Sequence, residues 1–264
     1  MDLFHWLTGE VLFVILILKL ILTPLLVGGI TLLGRKFGPA VSGWLVGLPL
    51  TSAPVAFFLA LEQGTAFAAR AAQGTLMGVI SEMAFCVAYY WLSLRFGWLM
   101  CWLGSWAMFF VVTFLLQPVS LSLLLTMVST LCCLVLTLLI LPRYKGTLLE
   151  TTPPAWDLVG RVLITTAFVL ALTESATVLG PRLSGLLSPL PLYATIFAIF
   201  TQKFQGAVAA RQLLRGLVVG SFAFSVFFLL IALLIERTGI AVAFGCALVG
   251  VFVVQGCSLL FVRR

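Results

Sequence analysis

The segment Gly38-Pro39-Ala40-Val41-Ser42-Gly43, followed by Leu48-Pro49-Leu50, recurs 142 positions later as Gly180-Pro181-Arg182-Leu183-Ser184-Gly185, followed by Leu190-Pro191-Leu192. The register then holds without a gap. Gln63-Gly64 faces Gln205-Gly206, Gly74 and Gly78 face Gly216 and Gly220, and Arg95 and Gly97 face Arg237 and Gly239. About 19 of the 60 positions from Gly38 to Gly97 equal their partners, which marks an internal duplication. Upstream the match thins: Lys19 faces Arg161, Thr23 faces Thr165 and Thr31 faces Thr173.

The duplicated unit belongs in a bilayer. Hydrophobic residues make up 62% of the chain and charged ones 9%, against about 25% charged in soluble domains. The mean hydropathy is +1.24. Long apolar runs without polar alternation select helices over a barrel. The pattern predicts about nine transmembrane helices, near 11–34, 39–61, 70–94, 97–117, 120–142, 156–179, 182–202, 209–235 and 239–261. The first run follows Asp2 and Glu10 and lacks a small-residue cleavage site, so it is expected to span the membrane, not to be removed as a signal.

The duplication pairs the first four spans with the last four and leaves the fifth alone. The expected plan is an all-α polytopic membrane protein with a 4+1+4 inverted-topology internal repeat. It comprises a first four-helix repeat over 1–118, a linking helix and cytoplasmic loop over 119–155, and a second, inverted four-helix repeat over 156–264. Equivalent points are separated by an odd number of crossings, so the copies stand in opposite orientations. Charge agrees with this plan. One face receives Arg35, Lys36, Arg95, Arg143, Lys145, Arg161, Lys203, Arg211, Arg215, Arg263 and Arg264. The other receives Arg70, Arg182 and Arg237, with Asp2, Glu10, Glu62, Glu174 and Glu236; Lys19 is assigned to neither face. The excess of cations predicts a cytoplasmic C-terminus and an external N-terminus.

Pro49 and Pro54 in span two, and Pro189 and Pro191 in span seven, predict broken helices at corresponding positions of the two halves. Such paired breaks point to a transport site; a packing kink is the plainer alternative. Ser42, Gly43, Pro49, Ser184, Gly185 and Pro191 are the candidate substrate-binding residues there, with the repeated hydroxyls Thr23 and Thr165 beside them. Lys19 and Arg161 add a symmetry-related pair of cations suited to an anion. Snorkelling to headgroups is the alternative for Lys19, and a local Asp157–Arg161 ion pair for Arg161. Glu82 is the most isolated charge, and its repeat partner is Phe224. An acid present in one copy only is a candidate proton-coupling group, a partner for Lys19, or a protonated carboxyl packed between helices. Gly74-xxx-Gly78 and Gly216-xxx-Gly220 predict close helix contacts. Trp98, Trp102 and Trp106 share one helix face and are expected to form a lipid-facing or interfacial stripe, a stacking platform for an aromatic or lipidic ligand being the alternative.

Six cysteines lie in apolar runs without metal-ligand spacing and are expected to be buried small hydrophobes. The only histidine is His5, and neither a nucleophile–base set nor a phosphate loop is present. The chain is not expected to be an enzyme or to need a cofactor. Its expected partners are the lipid bilayer and a small-molecule or lipid substrate, with no nucleic acid; a homodimer is compatible with the plan.

The half-unit G-x-x-x-x-x-P, then a glycine some fifteen residues later, then a glycine-marked helix, is similar over 38–97 and 180–239 to the GlpM-like small bacterial inner-membrane proteins. That resemblance implies a bacterial inner membrane and a link to envelope-polymer metabolism, and it carries no site residues. The expected function is an inner-membrane secondary transporter or flippase for an anionic small molecule or anionic lipid headgroup. The expected alternative is a non-transporting scaffold or accessory subunit of an envelope-polymer machine.

Overall fold

In the computed structural model the described residues are 21, 24–50, 52–142, 154, 156–176 and 190–263. Every element among them is a helix: α1 over 24–37, α2 Pro39–Val46, α3 Ser52–Gln63, α4 Thr65–Leu92, α5 Trp98–Leu116, α6 Leu123–Ile140, α7 Trp156–Ala176, α8 Leu192–Gln205, α9 Ala207–Thr238 and α10 Ile240–Arg263. Five are long and apolar enough to cross a membrane: α4, α5, α6, α9 and the Ile240–Ser258 part of α10. Leu139 on α6 and Phe252 on α10 are each 75% exposed. Outward leucine and phenylalanine at that density suit lipid, which solvates apolar side chains. The chain is a membrane-embedded helical protein.

The break in span two lies where proline and glycine place it. Gly38 takes φ 96°, which suits glycine alone, and Pro39 opens α2 where no backbone donor is needed. α2 then ends at Val46, because Gly47 follows and Pro49 cannot donate. Leu50 N–H instead donates to Leu48 O (2.8 Å), and Ala53 N–H donates to Pro49 O (2.9 Å), which starts α3. The same two bonds recur 142 positions on: Leu192 N–H to Leu190 O (2.7 Å) and Thr195 N–H to Pro191 O (2.8 Å). Gly64, between α3 and α4, has φ 84° and ψ 168°; Gly206, between α8 and α9, has φ 91° and ψ 171°.

α4 and α9 form the centre of the bundle, burying Leu76, Val79, Phe85, Leu213, Leu217 and Phe227. They run in opposite directions, and α6 gives the reference. Gln73 near the start of α4 donates to Leu121 O (2.8 Å), just before α6. Thr130 Oγ1, within α6, donates to Leu76 O (2.9 Å), and Tyr90 Oη near the end of α4 donates to Pro142 O (2.9 Å), just after α6. α4 is therefore parallel to α6. Arg215, near the start of α9, reaches the other end of α6, donating to Leu138 O (3.0 Å) and to Leu141 O. The Arg211 guanidinium lies 5.9 Å from the centre of the Tyr90 ring. The start of α9 thus meets the end of α4. Gln73 and Arg215 occupy matching positions of the duplicated sequence.

α2 packs on α9 backbone to backbone. A Cβ on Gly43 would collide with the Leu213 carbonyl, and one on Gly47 would lie 2.6 Å from Leu217 O. From the other side, Gly216 abuts the Ala40 carbonyl and Gly220 the Trp44 carbonyl. Small residues on both helices permit this approach. α10 closes over the pair: Trp44 Nε1 donates to Ser258 Oγ (2.8 Å) and Gln255 Nε2 to Trp44 O (3.2 Å).

Two expectations change with the structure. The cysteines are not uniformly buried: Cys86 and Cys101 are, but Cys132, Cys246 and Cys257 are exposed, because their helices face outward. The tryptophan stripe is divided. Trp98 is exposed, whereas Trp106 turns inward and its Nε1 donates to Thr195 Oγ1 (2.9 Å).

Candidate functional site

A cationic cluster gathers at the end of the bundle where α4 and α6 finish and α9 begins. Lys203 Nζ stands 6.0 Å from the Trp98 ring centre and 5.9 Å from that of Trp156, and Gln202 Nε2 donates to Phe96 O (3.1 Å). Next to Trp156 is Asp157, whose carboxylate takes two guanidinium groups. Arg161 Nε donates to Oδ1 at 3.0 Å from one turn along α7. Arg35 Nη2 donates to Oδ2 at 3.2 Å from α1, 122 positions away in the chain.

These three residues line a small recess with Thr31, Gly34, Pro39, Ser42, Thr201 and Gln205. Its enclosed part has room for about one water molecule. The walls come from four elements: α1, α2, α7 and α8. Asp157 and Arg161 are 1% and 3% exposed at the side chain, and Arg35 is 31% exposed. The Arg161 guanidinium is also held over Phe197 and Phe200, 5.0 and 5.2 Å from the ring centres. Cation–π contact and the Asp157 bond fix its plane. Its two terminal nitrogens have no hydrogen-bond partner among the described residues. Two cations against one carboxylate leave the recess with one positive charge in excess. Hydroxyls of Ser42 and Thr201 and the Gln205 amide add neutral hydrogen-bonding groups. Such a set can hold an oxyanion.

The recess brings together Ser42 and Arg161 from the sequence-based candidates, and the local Asp157–Arg161 pair is present. Gly43 lies against α9, Pro49 is buried at the α2–α3 break, and Pro191 precedes α8. Thr165 is buried one turn beyond Arg161, with its hydroxyl unbonded. Glu82 is partly buried on α4 and makes no hydrogen bond or ion pair among the described residues. Lys19, Thr23, Ser184 and Gly185 lie outside the described residues. Arg35, Asp157, Thr201 and Gln205 complete the recess. Arg35 has a sequence signal of its own: it departs from the repeat, since Thr177 stands at its matching position.

Among the described residues no group of histidine, cysteine and acidic side chains is arranged to hold a metal ion. No family model, curated protein or solved structure matches the chain.

Proposed function

We propose that the chain is a secondary transporter or flippase for an anionic small molecule or an anionic lipid headgroup. It is built as an inverted 4+1+4 repeat in a bacterial inner membrane, with the cationic end in the cytoplasm. The observation that carries this reading is the relation of α4 and α9 to α6. The two helices share a duplicated sequence, yet their matching residues Gln73 and Arg215 bond to opposite ends of one helix. Paired inverted halves with a broken helix in each are a carrier architecture, in which one half rocks against the other around a shared site. The repeated bonds after Pro49 and Pro191 support the second element of that plan.

The recess fits this mechanism as one mouth of the pathway. Arg35–Asp157 joins α1 of the first half to α7 of the second, whereas Asp157–Arg161 lies within α7. Rocking of the halves breaks the first pair and preserves the second. Thr177 and Ile15 replace Arg35 and Asp157 at the matching positions, so the opposite mouth lacks this pair by sequence. The state closed on the cationic face then carries an ion pair that the opposite state does without. Glu82, on α4 alone, is the proton-coupling group of this scheme.

The test is anion uptake and lipid scrambling in proteoliposomes, comparing the parent with Glu82→Gln and Lys19→Met. The proposal expects flux that saturates, with loss in both variants. Parent flux no greater than that of empty liposomes removes the transport reading. A second reading, a scaffold or accessory subunit of an envelope-polymer machine, is favoured by the backbone contact of α2 with α9 and by the small size of the recess. It predicts a stable partner on purification and no flux.

A further inference from the structure

We infer that the Arg35–Asp157–Arg161 recess is a binding subsite for the phosphate group of the substrate. The inference names the substrate class within the carrier reading, and it rests on that reading only for the direction of movement, not for binding. Arg161 is the central observation. It is 3% exposed, its plane is fixed by two phenyl rings and by Asp157, and its terminal nitrogens have no partner among the described residues. The fork borders the recess, and an oxyanion there would complete it, because guanidinium donors bind oxyanions strongly.

Geometry favours a tetrahedral oxyanion over a planar carboxylate. A carboxylate is satisfied by one fork lying in its own plane. Here the lining residues that can donate come from separate helices: Arg161 from α7, Arg35 from α1, Ser42 from α2, and Thr201 and Gln205 from α8. Donors spread around a point match oxygens arranged around phosphorus. The enclosed space admits about one oxygen. The rest of the phosphate sits in the open mouth, where half-exposed Arg35 is the movable wall. Arg35 turns from Asp157 to the incoming oxygens, while Asp157 stays on Arg161 Nε and keeps that fork in place. Asp157 is also the repulsive element: both its oxygens are engaged by arginines, so it admits an anion only where the guanidinium groups outnumber it.

The experiment is titration calorimetry of the purified full chain in detergent, with three probes: inorganic phosphate, dihexanoyl phosphatidic acid and acetate. Saturable binding of either phosphate probe, at least tenfold tighter than acetate, is expected. Arg161→Lys keeps the charge and loses the fork, and is expected to weaken phosphate binding at least tenfold. Thr201→Val is expected to weaken it about threefold, and Arg237→Gln, at the far end of α9, to leave it unchanged. Tighter binding of inorganic phosphate assigns a soluble substrate, and tighter binding of phosphatidic acid assigns a lipid headgroup; both support the subsite. No saturable binding of either phosphate probe overturns it. So does acetate binding equally well, or an Arg161→Lys protein that elutes as folded and binds as the parent does. Binding without flux in liposomes contradicts the carrier reading alone, and flux without phosphate binding contradicts the subsite alone.

Discussion

α4 and α9 carry matching sequences 142 positions apart. Each follows a glycine with φ near 90° and carries Gly-xxx-Gly about ten residues in: Gly74 and Gly78 on α4, Gly216 and Gly220 on α9. Each packs at the centre of the bundle. What differs is the chemistry at matching positions. Gln73 bonds the start of α6, and Arg215 bonds its last carbonyls. Glu82 on α4 is replaced by Phe224 on α9, which stacks on Phe228 at 4.8 Å between ring centres. Residues shared at matching positions therefore do the packing, and unshared ones set which end of α6 each helix holds and which helix carries a charge. Arginine at the end of α6 is physically apt, because the carbonyls at a helix C-terminus attract cations.

The glycine contacts offer the largest test of this comparison. Gly216→Leu and Gly43→Leu force side chains into opposing backbone, at or above the roughly 1–3 kcal/mol usual for overpacking. Size-exclusion profiles in detergent are expected to show loss of the folded species. Equivalence of the two helices predicts the same loss for Gly74→Leu. Gly245→Leu, where a Cβ meets nothing within 4 Å, is the silent control. A harmless Gly74→Leu would break the equivalence.

Next in size are the residues that hold α6. Arg215→Met removes charged hydrogen bonds and is expected to cost about 1.5–3 kcal/mol, whereas Gln73→Leu removes neutral ones and costs about 1 kcal/mol. Thermal unfolding in detergent should rank the variants in that order; the reverse would contradict the account of the two ends of α6. Glu82→Gln has the smallest expected effect on stability, since it keeps the side chain's shape and removes no bond to a described residue. In the proposed carrier its effect is on flux. Uptake driven by a pH gradient should fall to the gradient-free rate, and retention of the full pH response would remove Glu82 from coupling.

Much of this arrangement was legible in the sequence, and the reasons are local. Pro49 and the glycines around it dictate the α2–α3 break, and the Gly-xxx-Gly spacing dictates the close contact on α9. Asp157 and Arg161, one turn apart, dictate their own pair. The recess was only half legible, because Arg35 reaches Asp157 across 122 positions and Thr201 and Gln205 approach from a third part of the chain. No local spacing encodes that meeting. Cys132, Cys246 and Cys257 illustrate a different limit. Their runs are apolar throughout, and a helix facing lipid is as apolar as one facing the core.

Opposite orientation of the two copies is the central claim, and matching exposed arginines report it directly. Arg95 lies in the turn just after α4 and Arg237 in the last turn of α9, each exposed and 142 positions apart. The measurement is labelling of Arg95→Cys and Arg237→Cys, separately and in a cysteine-free background, with a membrane-impermeant maleimide on intact cells. The account predicts that Arg237→Cys reacts from outside and that Arg95→Cys reacts only after the membrane is opened. Reaction of both from the same face would contradict it.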